Sequence, residues 1–270
     1  MPALRDWISA ARPKTLGAAI APVAVGTVLA WRWTREFDAL LLAFTLGSCL
    51  CLQIATNFFN DAIDCAKGAD TAARLGPRRI TAAGAASVRT TFAAGVIVLA
   101  AAALLSLPLI QARGWPVIAI GLPSLYFCYG YTGGPHPLAY RGLGELFVML
   151  FFGLIAVAGS AFIQSGLWRA DALVAGLQIG ALSTVLIAIN NLRDLAEDRV
   201  SGKRTLAVRF GPRFARWEIA LLLDGAHLAG LYWWWRGDDR AFTLPLLLLP
   251  LGAWICYKLF TTEPGPGYNR

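Results

Sequence analysis

The sequence predicts an all-α, polytopic membrane helix bundle, and three observations carry that prediction. The first is composition: 57% of the 270 residues are hydrophobic and 15% charged, with a mean hydropathy of +0.57, whereas soluble domains carry about 25% charged residues. The second is segmentation into apolar runs close to the roughly 20 residues that a helix needs to cross a bilayer. Eight such runs fall at about 16–33, 39–58, 90–110, 115–133, 143–164, 171–191, 217–235 and 241–260. The third is charge asymmetry. With the N-terminus in the cytoplasm, segments on that side hold 18 of the 24 Lys and Arg residues, and Arg32, Arg35, Arg113, Arg169, Arg236 and Arg240 lie opposite. That bias is the positive-inside pattern of an inner-membrane protein.

Each run can be justified in turn. The first follows Arg12-Pro13-Lys14 and has no convincing cleavage site, so it reads as a span and not as a signal peptide. Pro22, Pro108, Pro123 and Pro245 fall inside runs, and membrane helices tolerate such prolines. The seventh run ends in "YWWW", Tyr232 to Trp235, where an outer aromatic belt is expected. Five cysteines form no CxxC pair, which points to neither a disulfide framework nor a zinc site. His136 and His227 read as structural. The net charge of +8 is accounted for by topology and by a site for an anionic substrate, so no nucleic-acid partner is expected.

The two longest cytoplasmic segments, about 59–89 and 192–216, carry most of the charge, and function is expected there. They also echo each other. "NDAIDCAKGADT…RLGPR" follows the second run, and "RDLAEDRVSGKRT…RFGPR" follows the sixth. Asp61 and Asp64 answer to Asp194 and Asp198, which suggests two four-helix pseudo-repeats facing a central cavity. Transporters are built from repeats as well, so the echo alone does not separate an enzyme from a carrier.

Asn57, Asn60, Asp61 and Asp64 stand at i, i+3, i+4 and i+7, on one helical face; Asn191, Asp194 and Asp198 repeat i, i+3, i+7. Like charges at this spacing repel unless cations neutralise them. Removing one acid, as in Asp61→Ala or Asp194→Ala, is therefore expected to abolish function yet leave the protein folded. Carboxylate and amide oxygens suit Mg²⁺, which binds through one or two carboxylates together with substrate phosphates. Asp61, Asp64, Asp194 and Asp198 are the candidate metal-linked and catalytic carboxylates. Lys67, Arg74, Arg78, Arg79, Arg193, Arg199, Lys203, Arg204 and Arg209 surround them, and guanidinium forks fit phosphate oxygens. Solvated helix ends and positive-inside arginines account for one such stripe; two on matching helices, each with a basic loop, mark a diphosphate site.

The motifs "NDxxD" (Asn60 to Asp64) and "DxxxD" (Asp194 to Asp198) resemble the UbiA superfamily of intramembrane aromatic prenyltransferases. "RPKTL" (Arg12 to Leu16), "KGADTAARLGPRR" (Lys67 to Arg79), "YTGGPHPLAYRGLGE" (Tyr131 to Glu145) and "NNLRDLAEDRVSGKRTLAVRFG" (Asn190 to Gly211) are similar to its 1,4-dihydroxy-2-naphthoate polyprenyltransferase branch. The resemblance implies one transmembrane domain over 1–270. It also implies nine helices, of which this chain is expected to hold eight. It further implies Mg²⁺-dependent transfer of a polyprenyl group from its diphosphate to the naphthoate, with decarboxylation to demethylmenaquinone and with the prenyl tail along the helices or in lipid. Lys67, Arg79, Arg193, Lys203 and Arg204 are the diphosphate candidates, with Asn57, Asn60 and Asn191 completing the polar shell. Lys14 is open between diphosphate, acceptor carboxylate and headgroup anchoring, and Glu145 between helix start and acceptor contact. Alternatives are another aromatic acceptor, such as 4-hydroxybenzoate or homogentisate, and a secondary transporter of an organic anion or divalent cation.

Overall fold

The computed structural model describes residues 2–69 and 79–269. Asp70, Arg74 and Arg78, three of the charges in the first basic loop, lie outside the described residues. The described chain is helical, with no strand among those residues. In order it forms α1 (Leu4–Ala11), α2 (Pro13–Thr34), α3 (Ala39–Ala66), α4 (Val88–Arg113), α5 (Trp115–Gly130), α6 (Gly144–Ser165), α7 (Ala170–Arg193), α8 (Leu195–Val200), α9 (Leu206–Leu228), α10 (Leu231–Trp235) and α11 (Asp239–Thr261).

Each predicted run falls mainly in helix, but six of these helices, α2, α3, α4, α6, α7 and α11, are long and apolar enough to cross a membrane, against the eight expected. The two exceptions have physical causes. α5 has 16 residues, about 24 Å at the α-helical rise. α9 carries Arg209, Arg213 and Arg216 in its first half and breaks at Gly211 (φ 86°, ψ 171°), with Pro212 restarting it. The run expected at 217–235 also ends early, at Leu228, with Leu231–Trp235 as a separate turn.

Large aliphatic side chains on the outer faces, such as Leu104, Leu107 and Leu122, are exposed. In lipid this carries no hydrophobic penalty, so contact between helices depends on close packing. Gly176 and Gly180 on α7 provide it: a Cβ on Gly153 of α6 would meet the Gly176 carbonyl oxygen and the Gly180 Cα, each at 2.5 Å. The Gly-x-x-x-Gly spacing thus brings α7 onto α6 with backbones touching. α2 packs on α3, α6 and α7, and so sits between the two halves of the chain. At the start of α7 Asp171 accepts from Trp33 Nε1 (3.1 Å) and Tyr232 Oη (2.6 Å), with Arg169 and Arg236 within ion-pair distance, and Arg32 pairs with Asp238. The aromatic belt is accordingly split. Trp234 and Trp235 are exposed, whereas Trp233 is buried and donates to Gln178 Oε1 (2.7 Å).

Candidate active site

The two acidic helix ends stop in the same way. After Asp64 the chain turns at Gly68 (φ 70°), with Lys67 N donating to Ile63 O, Gly68 N to Cys65 O and Ala69 N to Asp64 O. After Asp198 it turns at Gly202 (φ 75°), with Ser201 N donating to Glu197 O, Gly202 N to Arg199 O and Lys203 N to Asp198 O. A left-handed glycine closing a helix through a bond reaching back five residues is a C-cap that a residue with a Cβ disfavours. The shared pattern aligns Asp64 with Asp198, and hence Asn60 with Asp194 and Asn57 with Asn191. The expected match of Asp61 to Asp194 is therefore shifted by one residue: Asp61 aligns with Leu195.

These six aligned residues line one cavity of about 800 Å³ at the C-terminal ends of α3 and α7, together with Arg12, Lys14, Arg79, Arg193, Lys203, Tyr131 and Glu145. Lys203 Nζ donates to Asp64 Oδ2 (2.8 Å) and Tyr140 Oη to Asp64 Oδ1 (2.8 Å). Arg193 grips Asp194 through two bonds, from Nε (2.6 Å) and Nη2 (2.8 Å). Thr132 Oγ1 donates to Asn60 Oδ1, and Asn57 Nδ2 donates to Ala11 O (3.0 Å). Burial and the charges of Glu145, Asp64 and Asp198 hold the Tyr131 phenol above its usual range, so it stands neutral among the acids.

Asp61 is placed differently. It is fully buried and is not part of the cavity lining. Arg12 Nη2 and Arg79 Nη1 both donate to its Oδ1, and Ile80 N donates to Oδ2 (3.3 Å). Arg12 reaches it because α1 and α2 meet at a break: Arg12 is left-handed (φ 54°), and Pro13 after it disfavours the helical conformation there. α1 in turn packs Trp7 edge-on against Phe58 of α3 (5.5 Å).

Two predicted cations point elsewhere. Lys203 and Thr205 are buried toward the cavity, whereas Arg204 between them is exposed on another pocket with Arg141 and Arg209; alternate residues of an extended segment face opposite ways. Lys67 donates to Thr132 O (2.7 Å) and sits over the Tyr140 ring (4.2 Å), so it fixes the 131–140 loop and does not line the cavity. Burial lowers its pKa, Lys203 adds to the effect, and Asp64 opposes it. Sequence reasoning placed Arg12 in a motif without a role and did not single out Tyr140 or Thr132. Their signal lay in "RPKTL" and in the polar Tyr and Thr of the Gly/Pro-rich loop.

Among the described residues no three His, Cys, Asp or Glu side chains converge on one metal position. The donor set still fits magnesium, which needs one or two carboxylates when phosphate oxygens and waters complete the shell. Asp64, Asp194 and Asp198 are hard oxygen donors that line the same chamber.

A second, apolar cavity of about 170 Å³ runs between α3, α5 and α6. Gln53, Thr56, Phe147 and Phe152 line both cavities, so the polar chamber and the apolar one adjoin.

The model of the UbiA prenyltransferase family matches residues 19–265. The chain belongs to that family. Among UbiA-family relatives, it is 36% identical over 226 residues to the 1,4-dihydroxy-2-naphthoate octaprenyltransferase of Escherichia coli (strain K12), covering 82% of this chain and 73% of that one. It is 39% identical over 214 residues to the 1,4-dihydroxy-2-naphthoate octaprenyltransferase of Mycobacterium tuberculosis (strain ATCC 25618 / H37Rv), covering 78% and 72%. Its fold matches that of a UbiA homolog from Archaeoglobus fulgidus bound to DMAPP and Mg²⁺, with a TM-score of 0.71 at 14% identity over 93% of this chain and 86% of that one.

Proposed function

We propose that the protein transfers a polyprenyl group from its diphosphate to 1,4-dihydroxy-2-naphthoate, with loss of the carboxylate, as a step of menaquinone biosynthesis. The observation that carries this reading is the pair of adjoining cavities. A chamber lined by Arg12, Lys14, Arg79, Arg193 and Lys203 suits a diphosphate, and the apolar cavity that shares Phe147 and Phe152 with it suits the start of a hydrocarbon tail. The naphthoate is favoured over 4-hydroxybenzoate or homogentisate by the relatives of that named activity at 34–39% identity. Residues 1–270 form a single transmembrane domain in this reading. It has eight crossings in two four-helix halves, lies in the inner membrane against lipid, and keeps the N-terminus and site loops cytoplasmic.

Asp64, Asp194 and Asp198 would hold Mg²⁺, with Asn57, Asn60 and Asn191 completing the polar shell toward the diphosphate. Bound there, the ion supplies charge that favours departure of the diphosphate. Asp61, the fourth carboxylate of the set, would act from behind the wall by holding Arg12 and Arg79 in place. Arg79, Arg193 and Lys203 receive the negative charge that grows on the leaving group, and Lys14 at the cavity mouth pairs with the diphosphate or the acceptor carboxylate. The allylic C–O bond breaks with its electron pair going to diphosphate, a ring carbon of the naphthoate bonds the allylic carbon, and carbon dioxide leaves. Apolar walls at Phe147 and Phe152 keep water from the allylic centre.

The test is incubation of purified protein in detergent with Mg²⁺, a labelled polyprenyl diphosphate and each aromatic acid. Prenylated naphthoate product that disappears with chelator is expected. Product from another acid alone, or substrate flux into proteoliposomes without any product, overturns the assignment.

A further inference from the structure

Asp64 and Asp194 each hold a cation at the chamber rim, whereas Glu145 has no Lys or Arg against it among the described residues. Its side chain is 5% exposed and lines the chamber from the start of α6. Asn191 Nδ2 donates to Oε1 at 2.7 Å, whereas Oε2 is buried with no partner among the described residues. No Lys or Arg pairs with it in the described structure. A buried carboxylate oxygen without a partner is costly, and here the cost falls at a wall of the chamber. Glu218 also has an unpartnered Oε2, but it is absent from the chamber lining.

The surroundings of Glu145 are built to hold it still. Asn191, one of the six aligned residues, spends an amide donor on it. Gly144 leaves room beside it for the Tyr131 ring, whose hydroxyl would lie 2.9 Å from any Cβ at that position. Aromatic surface from Tyr131 and Phe147 continues the wall toward the apolar cavity, with the two rings 5.3 Å apart. Beside its cations the chamber therefore presents a carboxylate oxygen with neither a cation nor a hydrogen-bond partner, next to flat aromatic walls. That corner matches a hydroxyarene and mismatches a phosphate.

We propose that Glu145 Oε2, held through Oε1 by Asn191, accepts the ring hydroxyl of the aromatic acceptor and takes its proton as the new carbon–carbon bond forms. The inference rests on the prenyl-transfer reading above and adds a catalytic residue to it. The proton passes to Oε2, the O–H electron pair becomes a ring carbonyl, and the ring π pair bonds the allylic carbon as the diphosphate leaves with the C–O pair. The product of this step is a β-keto acid when the attacked carbon bears the carboxylate. Loss of carbon dioxide returns its electron pair to the ring, the carbonyl becomes a hydroxyl again, and the proton goes back from Glu145. The residue ends each turnover as it began.

The test compares wild type, E145Q and E145D by steady-state kinetics, and measures binding of dihydroxynaphthoate by calorimetry without prenyl donor. General-base catalysis contributes about 10²–10⁴-fold, so E145Q is expected to lose about 100-fold or more in kcat, with KM for the prenyl diphosphate within about twofold. E145D is expected to recover part of kcat. Wild type given the methyl ether of the hydroxyl next to the carboxylate is expected to turn it over at least about 100-fold more slowly, a measurement that needs no variant to fold. The proposal is overturned if E145Q keeps at least half of wild-type kcat, if its loss lies in KM for the prenyl diphosphate, or if the methyl ether reacts as fast as the parent acid. Wild type that yields no prenylated naphthoate sinks the prenyl-transfer reading instead. In that case about tenfold weaker naphthoate binding by E145Q than by wild type retains Glu145 as the hydroxyl contact, and equal binding removes it.

Discussion

The end of α3 and the end of α7 with α8 present polar residues at the same three positions to the chamber and hold their cations by different means. In the second half the helix breaks at Asp194 (φ −91°, ψ 11°), and Arg193 beside it closes onto that carboxylate. The first half runs unbroken to Ala66 and has no arginine in that place. It carries one more acid, Asp61, which draws Arg12 from the α1–α2 break and Arg79 from the far end of the basic loop. The stripes with equal spacing thus differ in purpose at one position: Asp61 organises cations, whereas its counterpart Leu195 is apolar. An acid can belong to a motif and serve the site from behind it.

The comparison is broken most directly at its shared positions. Asp64→Ala and Asp198→Ala are each expected to reduce kcat/KM by about 10³-fold or more, the scale of losing a major electrostatic contact to the leaving group. A large loss in one and near-normal turnover in the other would end the equivalence. Next comes the alternation at the second loop. Lys203→Ala is expected to cost about 10²-fold in kcat/KM through its charge-assisted contact, whereas Arg204→Ala stays within about twofold of wild type in the same assay, because its side chain faces the outer pocket.

Asp61→Asn sharpens the contrast through stability. Removing the charge takes from Arg12 and Arg79 the buried carboxylate they share, with Arg79 keeping its longer contact to Asp64 (3.8 Å), a change that costs about 3 kcal/mol and is read from the denaturation midpoint in detergent. The expectation that losing any acid of the stripe relieves repulsion is reversed here, since Asp61 faces cations. The smallest effects belong to the helix ends. Gly68→Ala and Gly202→Ala are each expected to cost about 1–2 kcal/mol, the strain of a left-handed residue with a Cβ, and to do so about equally because both close a helix in the same way.

The sequence by itself determined the helical membrane architecture, because the bilayer forces long apolar runs whose lengths and charged flanks can be read directly. It also determined the two polar stripes, since i, i+3 and i+7 share a face whatever surrounds the helix. Only the tertiary structure decided which neighbour each charge meets. Asp61 and Asn60 are adjacent and both polar, yet one lies behind the wall and the other on it. Lys203 and Arg204 part company at an extended turn, Arg12 arrives from 49 residues away, and one oxygen of Glu145 is left without a partner among the described residues. Contacts of this kind depend on how separate segments pack, and residue spacing within one helix carries no information about them.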